Sequence, residues 1–374
     1  MTDKELQKPV RVLHILVTLN LGGAESRMMD LYRNQDRTVL THDFAIMTDE
    51  TCHFTDEVIS TGGVIHVLTN PRKSLIKHIT DLYQLLKRVP KYDAIHAHTS
   101  FHAGLCLMVA FFAGTRARVS HARNVSTSTP SAFTSFMLFA GRSLINVFAT
   151  KRFAISKAAG QYLYGDAKFT VVPNAFNYQL ISHKEDLNDD KTQVLGIDGG
   201  VHIVAVARFY PVKNHHFMID ILKAMVEQRD DVYLHLIGDG ELKEDIKTKV
   251  AGLGLSEHVR FWGKRNDVYQ LLPYFDAMLM PSFTEGLGVA ALEAQKAGLP
   301  CLVSDSLPEE VDIELGLCKR LSLDEPASVW AEQCLSLLDI PVPSKSVLDE
   351  KFSARGFSLS FSEQQFYKAY RCDG

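Results

Sequence analysis

Two glutamates eight positions apart, Glu285 and Glu293, flank a glycine-containing turn in the stretch Pro281-Ser-Phe-Thr-Glu285-Gly286-Leu287-Gly288-Val289-Ala-Ala-Leu-Glu293. The pattern predicts a strand ending at Pro281, a turn, and a helix from about Gly288 to a C-cap at Gly298. The N–H groups at such a helix start, together with its dipole, suit a diphosphate. Glu285 falls at the mouth and Glu293 more than one turn inside the helix, deeper along the same groove. A second window, Val204 to His215, reads as a strand, a short basic loop and a helix. There Arg208 offers a planar fork and Lys213 a compact charge to one phosphate group. Both windows sit at the carboxyl end of a strand, where open parallel sheets bind ligands.

The same glycines allow a second chemistry. Gly286-Leu-Gly288-Val-Ala-Ala291 fits the G-x-G-x-x-A dinucleotide turn, with Asp305 near the end of the next strand as a ribose acid, and an NAD-dependent oxidoreductase would use it. Against this, a carboxylate at the pyrophosphate turn repels a dinucleotide, whereas Glu285 suits hydrogen bonds to sugar hydroxyls. A plain helix start with solvated glutamates is the third reading. Asp-x-Asp, the metal-holding device of many sugar-nucleotide enzymes, does not occur, so no metal and no cofactor are expected.

The elements that must position these residues alternate along the whole chain. Strand-like runs at 11–18, 42–48, 64–68, 94–98, 118–121, 152–155 and 168–172 are interleaved with helical stretches at 24–34, 75–88, 104–113 and 131–149. After the polar, acidic stretch 182–200, which reads as a linker, the pattern restarts with strands at 202–207, 233–238, 259–262, 277–281 and 300–304. The last segment, 360–370, reads as a helix. Such order predicts an α/β protein of two doubly wound, Rossmann-like domains facing a cleft. The expected division is an N-terminal acceptor-side domain at 1–185, a donor domain at 186–358, and a C-terminal helix at 359–374 returning to the first domain.

Composition narrows the class further. Hydrophobic residues at 46% and charged residues at 22% exclude disorder and collagen-like repeats. The six cysteines never come closer than 16 positions, which removes CxxC redox pairs and structural zinc patterns and favours a reducing compartment. The opening residues are polar and the apolar run after them is broken by His14, so no export signal is expected. The longest apolar run, 103–114, falls short of the ~20 residues of a membrane span.

The net charge of −4 hides an asymmetry: residues 1–185 carry 21 Lys and Arg against 14 Asp and Glu, and the remainder 19 against 30. Ala94 to Gly165 contains no acid at all but has Arg116, Arg118, Arg123, Arg142, Lys151, Arg152 and Lys157. Within it, 130–152 is rich in phenylalanine and reads either as an interfacial segment or as a core helix with a basic exposed side. No nucleic-acid motif accompanies the charge, so an anionic membrane surface is the expected partner and nucleic acid is not.

These windows, with Gly22-Gly23-Ala-Glu25, Val172-Pro-Asn174 and Gly238-Asp-Gly240, resemble the family 4 retaining glycosyltransferases of GT-B fold over essentially the whole chain. The stretches LGGAESRMMDLYR, HAHTSFHAG and ARFYPVKNH most resemble the EpsF-like enzymes of bacterial exopolysaccharide and capsule assembly. The resemblance implies that Arg208 and Lys213 hold the donor diphosphate, that Glu293 binds the ribose, and that Glu285 with the backbone of Gly286, Leu287, Gly288 and Val289 holds the transferred sugar. It also implies that Gly22 and Gly23 let the backbone approach the donor and that His121 lies near the reacting sugar, although Ala122-Arg123 stands where the family often has an acid. The implied reaction is metal-independent, retaining transfer from a nucleotide sugar, UDP-linked, to a polyprenyl diphosphate saccharide, at the inner face of the cytoplasmic membrane. A nucleotide-sugar epimerase of the same fold is the alternative enzyme; a non-enzymatic member of a polysaccharide complex is a further alternative.

Overall fold

Short runs of aliphatic and β-branched residues, apolar on both faces, fit strands covered by helices on each side. They form two all-parallel sheets in this computed structural model, which describes residues 8–20, 22–88, 91–124, 132–187 and 189–371. The chain divides into a unit of Met1–Phe176 with Gly356–Gly374 and a second unit of Asn177–Arg355.

The first unit holds β1 (Val10–Ile15), β2 (Leu40–Ile46), β3 (Ile65–Val67), β4 (Ala94–Ala97), β5 (Ala117–Ala122), β6 (Lys151–Ala154) and β7 (Thr170–Val171). Their order is β3-β2-β1-β4-β5-β6-β7. The second unit holds β8 (Val201–Val206), β9 (Val232–Ile237), β10 (Val259–Gly263), β11 (Ala277–Met280), β12 (Cys301–Ser304) and β13 (Cys318–Leu321), in the order β10-β9-β8-β11-β12-β13. Each order reverses once, between β1 and β4 and between β8 and β11. At such a switch the following loops part to opposite faces and leave room for a ligand.

Strand β13 has no counterpart in the sequence reading. It is an edge strand carrying Lys319 and Arg320, only partly buried, so its apolar signal is weak. The helices Ala327–Leu335 and Lys345–Ala354 were also not anticipated, although Trp330, Leu348 and Phe352 are fully buried along them. Residue 131, expected to begin a helix, lies outside the described residues, and the helix is described over Ala132–Phe148.

The expected linker at 182–200 is corrected. Lys191 Nζ donates to both carboxylate oxygens of Asp276 at 2.8 and 2.7 Å, Asp190 caps a short helix Lys191–Leu195, and Leu195 and Ile197 are buried. The segment packs on the second unit as part of it, so the units divide at Phe176/Asn177 and again at Arg355/Gly356, not at 185/186 and 358/359.

In the first unit the C-terminal helix Leu359–Arg371 packs on β1, β5 and the helix Gly23–Asn34. Its Phe366 and Tyr370 are buried, and the Tyr370 hydroxyl meets His96 Nδ1 at 2.6 Å. Phe366→Ala removes a ring that lies against His96, His121 and Phe153. The expected cost is about 3–5 kcal/mol of unfolding free energy in urea. A loss under ~1 kcal/mol would show that the helix is not part of this core.

Candidate functional site

In the second unit the chain leaves β8 through Ala207 and Arg208, makes one 3-10 turn at Pro211–Lys213, and enters the helix His215–Val226 through Asn214. Asn214 takes φ 58°, a left-handed conformation that asparagine tolerates better than most residues. Its Nδ2 donates to Pro281 O at 3.1 Å, and Phe283 N–H donates to Val212 O at 2.9 Å. The loops after β8 and β11 are thereby laced together.

Across that lacing Lys213 Nζ donates to Glu285 Oε1 at 2.5 Å, with the two side chains 18% and 13% exposed. Two residues that the sequence reading assigned to phosphate and to sugar hydroxyls are thus each other's counter-ion. Arg208 behaves differently. It is exposed, with its guanidinium 4.9 Å from the Tyr210 ring centroid, and it makes no ion pair among the described residues. The structure therefore joins Lys213 to Glu285 and leaves Arg208 on the rim.

Beyond Glu285, Leu287 is buried and Gly288 begins the helix Val289–Lys296 at φ 78° with no side-chain cap. A Cβ at Gly288 would come 2.9 Å from Val311 Cγ2, so glycine is required by backbone and by space. In this first turn Ala291 N–H donates to Gly288 O at 3.0 Å, so the N–H groups of Val289 and Ala290 are the ones placed for an anion. Glu293, 7% exposed, accepts a hydrogen bond from Tyr269 OH at 3.1 Å. Gly238 supports the same end of the sheet. At φ 146° it sits so close to Ala207 O that a Cβ would lie 2.0 Å away.

In the first unit Gly22 is the uncapped N-cap of the helix Gly23–Asn34 that follows β1. Near the carboxyl ends of β1, β4 and β5 lies a buried network of imidazoles. Arg123 Nε donates to His98 Nδ1 at 2.9 Å and its Nη1 donates to Asn174 Oδ1 at 2.6 Å. His98 Nε2 meets His14 Nδ1 at 3.1 Å, and His14 Nε2 meets His42 Nδ1 at 2.6 Å. Because Arg123 can only donate, the hydrogen bonds fix one direction: His98 donates through Nε2 to His14, and His14 through Nε2 to His42. His121 is 2% exposed, with Nδ1 at 3.2 Å from His96 Nε2.

Burial is the largest cause holding the His14, His42, His96, His98 and His121 rings below the usual histidine value. The Arg123 guanidinium adds to it at His14, His96, His98 and His121. Arg123 itself is lowered to about 10 by burial, which Glu25 partly offsets. Sequence reasoning found His121 but missed the rest of the network, for which the pair His96-Ala-His98 was the visible signal. It also missed Asn214 and Tyr269, whose partners are distant in the chain. The groups of three metal-ligating side chains among the described residues lie in the first unit, not beside Glu285 and Glu293.

The helix Ala132–Phe148 bears on the core-helix reading of the aromatic stretch. Only Gly141 and Ile145 are buried, while Phe133, Phe136 and Phe139 are 73%, 64% and 67% exposed. It is not a core helix. Residues 130 and 131 of that stretch lie outside the described residues. No described helix is long and apolar enough to cross a membrane.

Residues 188–345 match the family model described as Glycosyl transferases group 1. The chain is 34% identical over 355 residues to the EpsF glycosyltransferase of Bacillus subtilis (strain 168), covering 93% of this chain and 92% of that one. It is 26% identical to the UDP-Gal:alpha-D-GlcNAc-diphosphoundecaprenol alpha-1,3-galactosyltransferase of Escherichia coli, over 81% of each. Among solved structures, Anabaena Alr3699/HepE in complex with UDP shares the fold with a TM-score of 0.79 at 20% identity, covering 97% of this chain and 99% of that one.

The neutral network has a measurable consequence. Its histidines have folded values below about 6.5, with His42 at about 4, so the unfolded chain takes up protons first as pH falls. Stability is full above about pH 6.5 and drains towards pH 4, each such histidine contributing up to about 1.4 kcal/mol per pH unit. Urea midpoints between pH 7 and pH 5 should fall with a slope of more than one proton. A flat profile would contradict the neutral assignment.

Proposed function

We propose, because this chain belongs to the group 1 glycosyl transferases of GT-B fold, that it is a retaining transferase of surface polysaccharide assembly. It moves a sugar from a UDP-linked donor to a saccharide carried on a polyprenyl diphosphate. The observation that carries the reading is the Lys213–Glu285 pair beside the uncapped Gly288 helix start, at the switch between β8 and β11. The UDP bound by the Anabaena structure, the diphosphoundecaprenol in the Escherichia coli relative's name and a capsular polysaccharide glycosyltransferase of Staphylococcus aureus among the relatives support donor, acceptor and pathway class.

In this mechanism the departing diphosphate gains charge as the sugar turns oxocarbenium-like. Lys213, Arg208 and the N–H groups of Val289 and Ala290 stabilise it, with the Arg208 fork swinging off Tyr210. Glu285, released from Lys213 when phosphate arrives, accepts hydrogen bonds from the transferred sugar with the backbone of Gly286 to Val289, and Glu293 from the ribose. The leaving phosphate takes the acceptor proton on the same face, giving retention. Gly22 and Gly23 offer a second uncapped helix start to phosphate. His121 takes part as a neutral imidazole held by His96, positioning the reacting sugar rather than donating charge.

The exposed row Phe133, Phe136 and Phe139, in a stretch without acids, supports peripheral docking on an anionic leaflet where such an acceptor resides.

A panel of nucleotide sugars, read by released nucleoside diphosphate with and without lipid-linked saccharide, tests the activity; release from no donor would overturn it. Lys213→Ala and Arg208→Ala should each lose about 2–4 kcal/mol of transition-state stabilisation in kcat/KM. Wild-type kinetics in both would remove these residues from the site. Turnover should need no added Mg²⁺ or Mn²⁺. Phe133→Ser/Phe136→Ser/Phe139→Ser should abolish sedimentation with phosphatidylglycerol vesicles at low salt while leaving the fold intact. Arg142 and Arg152 are poor targets for that test, since Arg142 bonds Leu163 O and Tyr162 O, and Arg152 bonds Asn146.

A further inference from the structure

Two clusters of metal-ligating side chains lie in the first unit, His14 with His96 and His98, and His78 with His102 and Cys106. Their hydrogen bonds separate them. In the first cluster every ring nitrogen is engaged: His14 with His98 and His42, His98 with His14 and Arg123, and His96 with Tyr370 and His121. An ion there would have to displace a neighbouring imidazole, a guanidinium or a phenol.

The second cluster differs at His78. His78, on the helix Leu75–Lys87, is fully buried and its Nδ1 lies 2.7 Å from Thr69 O. A carbonyl only accepts, so the proton is on Nδ1 and the lone pair is on Nε2. That Nε2 is buried and has no hydrogen-bond partner. A backbone carbonyl fixing one ring nitrogen so that the other presents its lone pair is how proteins orient metal-binding histidines. Cys106, also fully buried, brings its Sγ to 3.5 Å from His102 Nδ1, which also meets Thr99 Oγ1 at 3.2 Å, and to 4.0 Å from His102 Nε2; the three ligand atoms lie within 4.8 Å of one another. With Zn–S near 2.3 Å and Zn–N near 2.0–2.1 Å, sulfur and nitrogen on a tetrahedral ion stand about 3.6 Å apart. The Cys106–His102 spacing matches that edge, and the two edges to His78 Nε2, each within 4.8 Å, close by turning of the rings.

We propose that His78, His102 and Cys106 bind a zinc ion. Two imidazoles and a thiolate suit zinc and give the hard, oxygen-seeking cations magnesium and calcium nothing. On binding, the S–H bond of Cys106 breaks, its proton passes to solvent, and the thiolate sulfur donates to the ion. His102, partly exposed, is the entry side, and water fills the fourth position. The ion pins the helix Leu75–Lys87 to the 3-10 turn Ser100–His102 and the helix Ala103–Ala113 that follow β4. This clamp is independent of the transfer reaction and of the donor residues in the second unit.

The test uses the full chain purified without a metal-affinity tag, incubated with Zn²⁺ and desalted. Elemental analysis should find about one zinc per chain, and Co²⁺ in its place should show a thiolate-to-metal charge-transfer band. Cys106→Ser and His78→Gln should each weaken zinc at least about tenfold and Cys106→Ser should remove the band, whereas Cys334→Ser, in the other unit, should change neither. In the wild type, zinc should slow alkylation of Cys106 pulsed at the urea midpoint, where this buried thiol becomes accessible, read by peptide mass spectrometry, a measurement that stands even if the variants fail to fold. Absence of stoichiometric zinc in the wild type, binding that survives Cys106→Ser, loss in Cys334→Ser, or alkylation of Cys106 indifferent to zinc would each overturn the proposal.

Discussion

The lacing of the loop after β8 to the loop after β11 is the constraint on which the donor-side geometry rests. Neighbouring strands at a switch point send their helices to opposite faces, so nothing in the sheet itself holds the two loops together. Phe283 N–H on Val212 O, the Asn214 amide on Pro281 O and the Lys213–Glu285 pair supply that hold. With both side chains more than four-fifths covered, the pair is costlier to break than a surface ion pair, since removing one partner leaves the other charge poorly solvated. A ligand that satisfies only Lys213, or only Glu285, meets that cost. One that presents an anion and hydroxyls together replaces both interactions at once. In the transfer reaction proposed above, the resting pair thereby favours a phosphorylated sugar over free phosphate or free sugar.

The strands were legible in the sequence where they are buried on both faces, because Val201–Val206, Val232–Ile237 and Ala277–Met280 leave few polar interruptions. Edge strand β13 was not, since a partly exposed strand tolerates Lys319 and Arg320. The stretch 182–200 misled for the opposite reason. Its polar composition is that of a linker, yet buried Leu195 and Ile197, the ion pairs of Lys191 with Asp276 and of Asp186 with Lys345, and Tyr274 OH on Asp189 dock it. In the site, spacing revealed what is local: Arg208 with Lys213, and Glu285 with Glu293 around Gly288. It could not reveal Tyr269 on Glu293, or Arg123 on His98 and Asn174, because those contacts join residues brought together only by the sheet. Ala122-Arg123 looked like a departure from the family pattern, but Arg123 is the donor that orders the buried imidazoles.

The acid-free stretch 94–165 also acquires a physical explanation. Three of its cations, Arg118, Arg142 and Arg152, donate to backbone carbonyl oxygens. Arg118 donates to Phe148 O, Thr115 O and Arg116 O, and Arg142 to Leu163 O and Tyr162 O. Phe148 O lies at the carboxyl end of the helix Ala132–Phe148, where a cation also meets the favourable end of the helix dipole. Such contacts fix the side chains without neutralising them, so the positive field survives folding.

That field alone is a weak basis for membrane attachment. Each cation near an anionic surface contributes about 1 kcal/mol, and salt erodes it. Burying a phenylalanine fully is worth about 1.5–3 kcal/mol and is not screened. Phe133, Phe136 and Phe139 stand exposed on one helix. On the adjoining helix Ala103–Ala113, Phe111 and Phe112 are 48% and 63% exposed, with rings 5.3 and 6.2 Å from that of Phe148. The two helices lie so close that a Cβ at Gly104 would meet Gly141 O at 2.5 Å, but Phe111 and Phe112 pack at the Phe148 end of the helix, away from Phe133, Phe136 and Phe139. In the peripheral docking proposed above, these magnitudes make the aromatic rings the larger contribution and give the arginines the part of attracting the protein to the surface and orienting it there.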